Sequence, residues 1–151
     1  MGNVFTRAAN ALRGGGGGNA PAANTIEGAV IRAANVLVQN LPANATVAVL
    51  SIATNDPDTA EFVIEEFAFL LVDSRKFKVV DRKSLDAVRS EARFQISGDV
   101  DDNSAVSIGK MLGASIVITG SVGGSGSTRR LRAKALNVQT AEIVTMASEA
   151  F

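Results

Sequence analysis

Val47-Ala48-Val49-Leu50-Ser51-Ile52, Phe77-Lys78-Val79-Val80-Asp81-Arg82 and Gly113-Ala114-Ser115-Ile116-Val117-Ile118-Thr119-Gly120-Ser121 decide the fold. Each is a short apolar run bounded by polar or turn-forming residues and rich in β-branched side chains, which is the pattern of a buried strand rather than of a helix. Segments of helical periodicity separate the three runs, so the chain reads as an α/β domain whose sheet is covered by helices.

Working outward, Thr25 is placed to cap a helix in which Ile26, Ala29, Val30, Ala33, Leu37 and Leu41 recur at helical spacing until Pro42 ends it. The nearly continuous apolar character of residues 46–53 predicts a central strand buried on both faces. Asn55-Asp56-Pro57-Asp58 supplies a turn and cap, and residues 59–73 form a helix with Phe62, Phe69 and Leu70 near its inner face. A further helix over residues 84–95 turns Leu85, Val88, Ala92 and Phe94 inward, and a shorter one over 102–112 ends at Gly113, suited to a left-handed cap.

The last third reads as a β-meander of strands 115–123, 128–138 and 142–150. Alternation sets Leu131, Ala133 and Ala135 on one face of the middle strand and Arg130, Arg132 and Lys134 on the other. A tight turn at Thr140-Ala141 would place Arg132 opposite Glu149 as a cross-strand pair. The expected architecture is a mixed sheet of about five strands and about four helices, in the order α-β-α-β-α-α-β-β-β.

Residues 1–23 differ from the rest. Gly14 to Gly18 form one block, followed by Asn19-Ala20-Pro21-Ala22-Ala23. Such a composition cannot bury enough apolar surface to offset its ordering entropy, so 1–23 read as a flexible tether and 24–151 as the folded domain. Val4 to Leu12 fits a short helix, and Arg7-Ala8-Ala9-Asn10 recurs as Arg32-Ala33-Ala34-Asn35, a repeat that helix-friendly composition produces by chance. Met1-Gly2-Asn3-Val4-Phe5-Thr6 fits a myristoylation pattern, but so short a pattern arises easily, and an added start codon before a mature domain is the favoured reading.

Composition narrows the chemistry. The 151 residues include no Cys, His, Trp or Tyr, which removes thiolate metal sites, disulfides and the commonest general base and metal ligand. Lys plus Arg and Asp plus Glu number 15 each, so no net field draws the chain to nucleic acid or to an anionic membrane. No apolar run is long enough to span a bilayer as a helix.

Several motifs invite a functional reading. Ser107-Ile108-Gly109-Lys110 fits the Ser-x-x-Lys pattern of penicillin-interacting serine enzymes, but the Lys-Thr-Gly and Ser-Asp-Asn partners of that pattern are missing. Asp99, Asp101 and Asp102 could offer oxygens to a hard cation, yet they lack the glycine and distal glutamate of a calcium loop and suit helix capping. The loop from Gly120 to Gly126 joins two strands, whereas a phosphate loop leads from a strand into a helix. Gly109 and Gly113 fit close packing of helix on sheet better than membrane-helix pairing. No catalytic, cofactor or metal residues are assigned. The stripe Arg130, Arg132 and Lys134 is the candidate partner-binding feature, to be weighed against a plain solvated face. Were a helix to cover it, Glu61, Glu65 and Glu66 are the available acidic partners. Without interleaved aromatics it does not suit single-stranded nucleic acid.

The order Val47-Ala48-Val49-Leu50, helix, Phe77-Lys78-Val79-Val80-Asp81-Arg82, helix, Ile108-Gly109-Lys110-Met111-Leu112-Gly113-Ala114, strand ending Thr119-Gly120-Ser121-Val122, hairpin, resembles the CsgG/LpoB family over residues 25–151. That family includes a curli secretion lipoprotein and a penicillin-binding-protein activator, and is related in fold to the TolB N-terminal domain. The resemblance implies a nonenzymatic, cell-envelope protein-binding module, periplasmic or outer-membrane-associated in a bacterium, that regulates or scaffolds an envelope assembly. The alternative it implies is a structural subunit of an oligomeric envelope ring or secretion assembly. This sequence departs from the family pattern in lacking a lipidated Cys and signal peptide, in leaving no room for membrane-spanning hairpins, and in carrying Ala141 where glycine commonly follows threonine in the last turn. Ala141 therefore requires a turn without positive φ or mild strain.

Overall fold

The computed structural model describes residues 24–92 and 101–151. The expectations placed on residues 1–23, on Asp99 and on Phe94 lie outside them. Among the described residues there are four α-helices, α1 (Ile26–Asn40), α2 (Pro57–Asp73), α3 (Arg82–Ala92) and α4 (Asp102–Leu112). They pack on one five-stranded sheet of β1 (Thr46–Ala53), β2 (Lys78–Val79), β3 (Ile116–Gly123), β4 (Arg130–Asn137) and β5 (Ile143–Ala150), in the order β2-β1-β3-β4-β5.

β1 pairs in parallel with both β2 and β3, while β3, β4 and β5 form the antiparallel meander. From β1 the chain leaves through α2 to β2 on one side; it then returns through α3 and α4 to β3 on the other side. Right-handed crossovers running in opposite directions put their helices on opposite faces of a sheet. Two cores result. Phe67, Leu70 and Leu71 of α2 and Leu37 of α1 pack on one face with Val47, Ile116, Ile118 and Leu131; Ile108 of α4 and Leu85 of α3 pack on the other with Ala48, Leu50, Val117 and Leu136. Phe67 is fully buried, and its truncation to alanine would cost about 3–5 kcal/mol.

Local chemistry sets the boundaries. The Thr25 hydroxyl accepts from the Gly28 N–H at 3.1 Å, and Asp56 caps α2 with Pro57 in its first turn. Gly113, at φ 71°, ends α4. Gly109 lets α4 lie against the sheet: a Cβ there would come within 2.6 Å of Val117 Cγ1 and 2.7 Å of Val138 Cγ2. Of the two glycines Gly109 alone serves helix-on-sheet packing; a Cβ at Gly113 would meet nothing within 4 Å, and that glycine serves as the cap.

Three expectations are corrected. Phe69 is 41% exposed, and the buried stripe of α2 is Val63, Phe67, Leu70 and Leu71. The second strand, expected over residues 77–80, is reduced to Lys78–Val79 at the sheet edge. Arg132 pairs with Ser148, and Glu149 lies opposite Leu131. The hairpin explains this slip. Its loop closes where the Asn137 N–H donates to the Glu142 carbonyl at 2.8 Å, so it is longer than a two-residue turn. Ala135 then pairs with Thr145 but Leu136 with Ile143, leaving Val144 as a bulge. A net slip of one residue turns Glu149 to the face of Leu131, toward α1. Ala141 adopts φ 62°, the strained one of its two expected options.

Candidate functional site

α3 and α4 cover only part of their face of the sheet. Val117 of β3 and Leu136 of β4 form a pair that lies beneath α4. One row further along the strands, Ser51, Thr119, Lys134 and Met146 lie side by side through the pairings of β1, β3, β4 and β5. The following row aligns Ser121, Arg132 and Ser148. Apolar side chains therefore give way to hydroxyls and cations where the helical cover ends.

A cleft of about 200 Å³ opens on these rows, lined by Ser51, Thr119, Ser121, Arg132, Lys134 and Met146 among others. It lies toward the C-terminal ends of parallel strands β1 and β3, between which the chain reverses its direction of winding, a position that favours ligand crevices in open α/β sheets. Ser51 and Thr119 are 3% and 5% exposed, the two buried polar residues of the described chain. Neither hydroxyl has a hydrogen-bond partner among the described residues. A register shift between Val49 and Ser51 brings the Ser51 side chain onto this face beside Leu50.

The three cations of the stripe do not behave alike. Lys134 pairs with Asp102 at 2.7 Å, at the N-terminal end of α4. Arg130 Nη1 donates to Ser148 Oγ at 2.9 Å. Arg132 is exposed, and its guanidinium makes no hydrogen bond or ion pair among the described residues. The acidic partners considered on α2 are not used: α2 packs on the opposite face, and Glu61 pairs with Arg82 at 3.1 Å. Asp101 is the cap of α4, its Oδ1 accepting from the Ser104 N–H at 2.7 Å. That hydrogen bond, followed by the one from the Ser104 side chain, holds the Asp101 carboxyl below the ordinary value of 3.8.

Ser107 and Lys110 both lie on the exposed side of α4, and no hydrogen bond joins them. The loop after β3 forms a single 3-10 turn, Gly126–Thr128, closed by the Thr128 N–H donating to the Ser125 carbonyl at 2.9 Å. The stripe of cations was legible in sequence through strand alternation. The two hydroxyls behind it were not, because Ser51 and Thr119 each stand alone in an apolar run and meet only when β1 and β3 pair.

A mixed sheet wound on both faces and finished by a three-stranded meander gives this domain a CsgG/LpoB-like fold. The family described as curli production assembly/transport component CsgG matches residues 65–130. The fold is shared with the LpoB C-terminal domain of Salmonella enterica (22% identity, 83% of this chain and 96% of that one, TM-score 0.71). It is shared also with that of Escherichia coli (21% identity, 78% and 93%, TM-score 0.66). Lipoprotein GNA1162 of Neisseria meningitidis is more distant, at 14% identity over 69% of this chain and 77% of that one, with a TM-score of 0.53. None of the curated proteins matches the sequence.

Proposed function

We propose that this chain is a nonenzymatic cell-envelope module that docks onto an envelope protein through the open sheet face around Arg130, Arg132 and Lys134, and so regulates or scaffolds an envelope assembly. The observation that carries this reading is the incomplete helical cover of that face, which leaves Arg132 exposed beside Met146, itself 58% exposed. A free guanidinium next to a flexible apolar side chain is a common interface anchor. The CsgG- and LpoB-like similarity supports an envelope setting on the periplasmic or outer-membrane side. No helix among the described residues is long and apolar enough to cross a membrane.

A photo-crosslinking residue at Ser148, exposed beside Arg132 on this face, in the full chain expressed in a bacterial envelope, tests it. The reading expects one discrete adduct, reduced by Arg130→Glu, and none from the same probe at Met111 on the outer side of α4. Equal labelling at both positions would refute a specific docking face.

β5 favours a second reading, a subunit of an envelope ring. Its outer edge is unpaired among the described residues, and Ile143, Val144 and Met146 are exposed along it. Such an edge can receive a strand or helix of a second copy. Light scattering of the full chain over a concentration series separates the two: the docking module is a monomer, the ring subunit a discrete closed oligomer.

A further inference from the structure

We infer that the cleft over Ser51, Thr119 and Arg132 is a carboxylate-binding site. Ser51 and Thr119 are buried residues whose hydroxyls have no partner among the described residues, and they open into a cleft of about 200 Å³, room for a small head group rather than a large ligand. Neither oxygen is buried away from water, so a ligand that accepts from them replaces cleft water at two donors already in place. Counting charge identifies the acceptor. Lys134 is already matched by Asp102 at 2.7 Å, so the cleft retains the unmatched charge of Arg132. A singly charged carboxylate balances that charge, and its two oxygens suit the guanidinium fork. A phosphate dianion would bring one negative charge too many. Met146 forms an apolar wall that suits a short aliphatic stem behind the carboxylate.

The carboxylate could belong to a free small acid or to an acidic residue of a protein. The site stands independently of the docking reading, because a small acid needs no protein partner.

The test is a heteronuclear NMR titration of the full chain at pH 7 with acetate, against chloride at equal ionic strength and against neutral acetamide. Saturable shifts are expected at the amides of Ser51, Thr119 and Arg132 with acetate alone. Arg132→Gln, an exposed substitution, should weaken binding at least about tenfold, one charge-assisted pair being about 1.5–3 kcal/mol. Thr119→Val, which keeps the shape of the side chain, should weaken it severalfold, whereas Arg130→Gln should change it less than about twofold. Shifts that do not saturate, that chloride or acetamide reproduces, or that persist in Arg132→Gln would overturn the site. A blocked glutamate amide gives the source: binding comparable to acetate supports an acidic residue of a protein, and exclusion of it with acetate retained supports a free acid. If the crosslink at Ser148 fails while acetate binds, the docking reading falls and the cleft stands.

Discussion

Arg32 Nε donates to Glu149 Oε1 at 2.9 Å, and Arg32 Nη2 donates to the Ala150 carbonyl at the same distance, so one guanidinium fastens α1 to the last strand of the sheet. The side chains retain 31% and 23% of their exposure, and water therefore weakens the ion pair. Glu149→Gln should cost at most about 1 kcal/mol. Arg32→Ala, which also removes the bond to Ala150, should cost more. Urea unfolding of both single variants and the double variant should give a coupling energy of about 0.5–1 kcal/mol that falls in high salt.

Gly109 carries a different kind of constraint. The contacts that an added Cβ would make with Val117 and Val138 fall well inside van der Waals distance, and both valines are buried. Gly109→Ala should therefore destabilise the domain by about 1–3 kcal/mol despite the better helix propensity of alanine. Adding Val138→Ala should recover part of that loss, because it frees one of the two contacts. Strict additivity in thermal unfolding would mean that α4 shifts rather than clashes.

The contrast between Arg32 and Gly109 shows where the sequence was legible. Glycine spacing on an amphipathic helix already pointed to close packing, and β1 occupies the expected residues 46–53 because its apolar run allows no other reading. The Arg32–Glu149 pair was hidden, since it depends on the face that Glu149 takes, and this is set by the loop and the bulge at Val144. α2 was ambiguous for another reason. Phe62, Val63, Ile64, Phe67, Phe69, Leu70 and Leu71 are apolar nearly all round the helix, so periodicity alone does not fix which stripe is buried. In the candidate site the cations followed from alternation, while the hydroxyl pair required knowing that β1 and β3 are neighbours.

Ala141 should be a site where the chain can be improved. Its φ of 62° lies where a Cβ is strained and glycine is not. Ala141→Gly should raise stability by about 0.5–1 kcal/mol, the relief of strain exceeding the added freedom of the unfolded chain. Ala141→Val should lower it. Melting temperatures of the three proteins check the order.

Acid should loosen α4 through its cap. Asp101 is held below 3.8 first by the Ser104 N–H, so protons bind it more weakly in the folded chain than in the unfolded one. Its contribution is complete above the unfolded value and is lost as pH falls through the folded value. Asp56, held down first by the Thr59 side chain, and Asp81, held down first by the Ser84 N–H, act in the same direction at α2 and at the start of α3. Asp101→Asn keeps a capping oxygen but cannot titrate, and should flatten the fall of the urea midpoint below about pH 4. An unchanged slope would place the acid sensitivity elsewhere.

The edge strand β5 sets the last expectation. Ile143 and Val144 are 47% and 38% exposed at the start of an eight-residue strand whose outer edge is unpaired among the described residues. Long edges of this kind invite pairing with another chain, and bulges are one way of disrupting them. The Val144 bulge breaks the regular ladder at this end, but the strand beyond it, from Thr145 to Ala150, pairs regularly with β4 and remains a template. Val144→Lys adds a charge where the side chain is already exposed, so it should change folding stability by less than about 0.5 kcal/mol. It should nevertheless reduce concentration-dependent association in light scattering. If the full chain forms a closed oligomer through this edge, the same substitution should dissociate it to monomers. If oligomerisation proceeds unchanged, the contact lies on another surface and the edge is protected by its bulge alone.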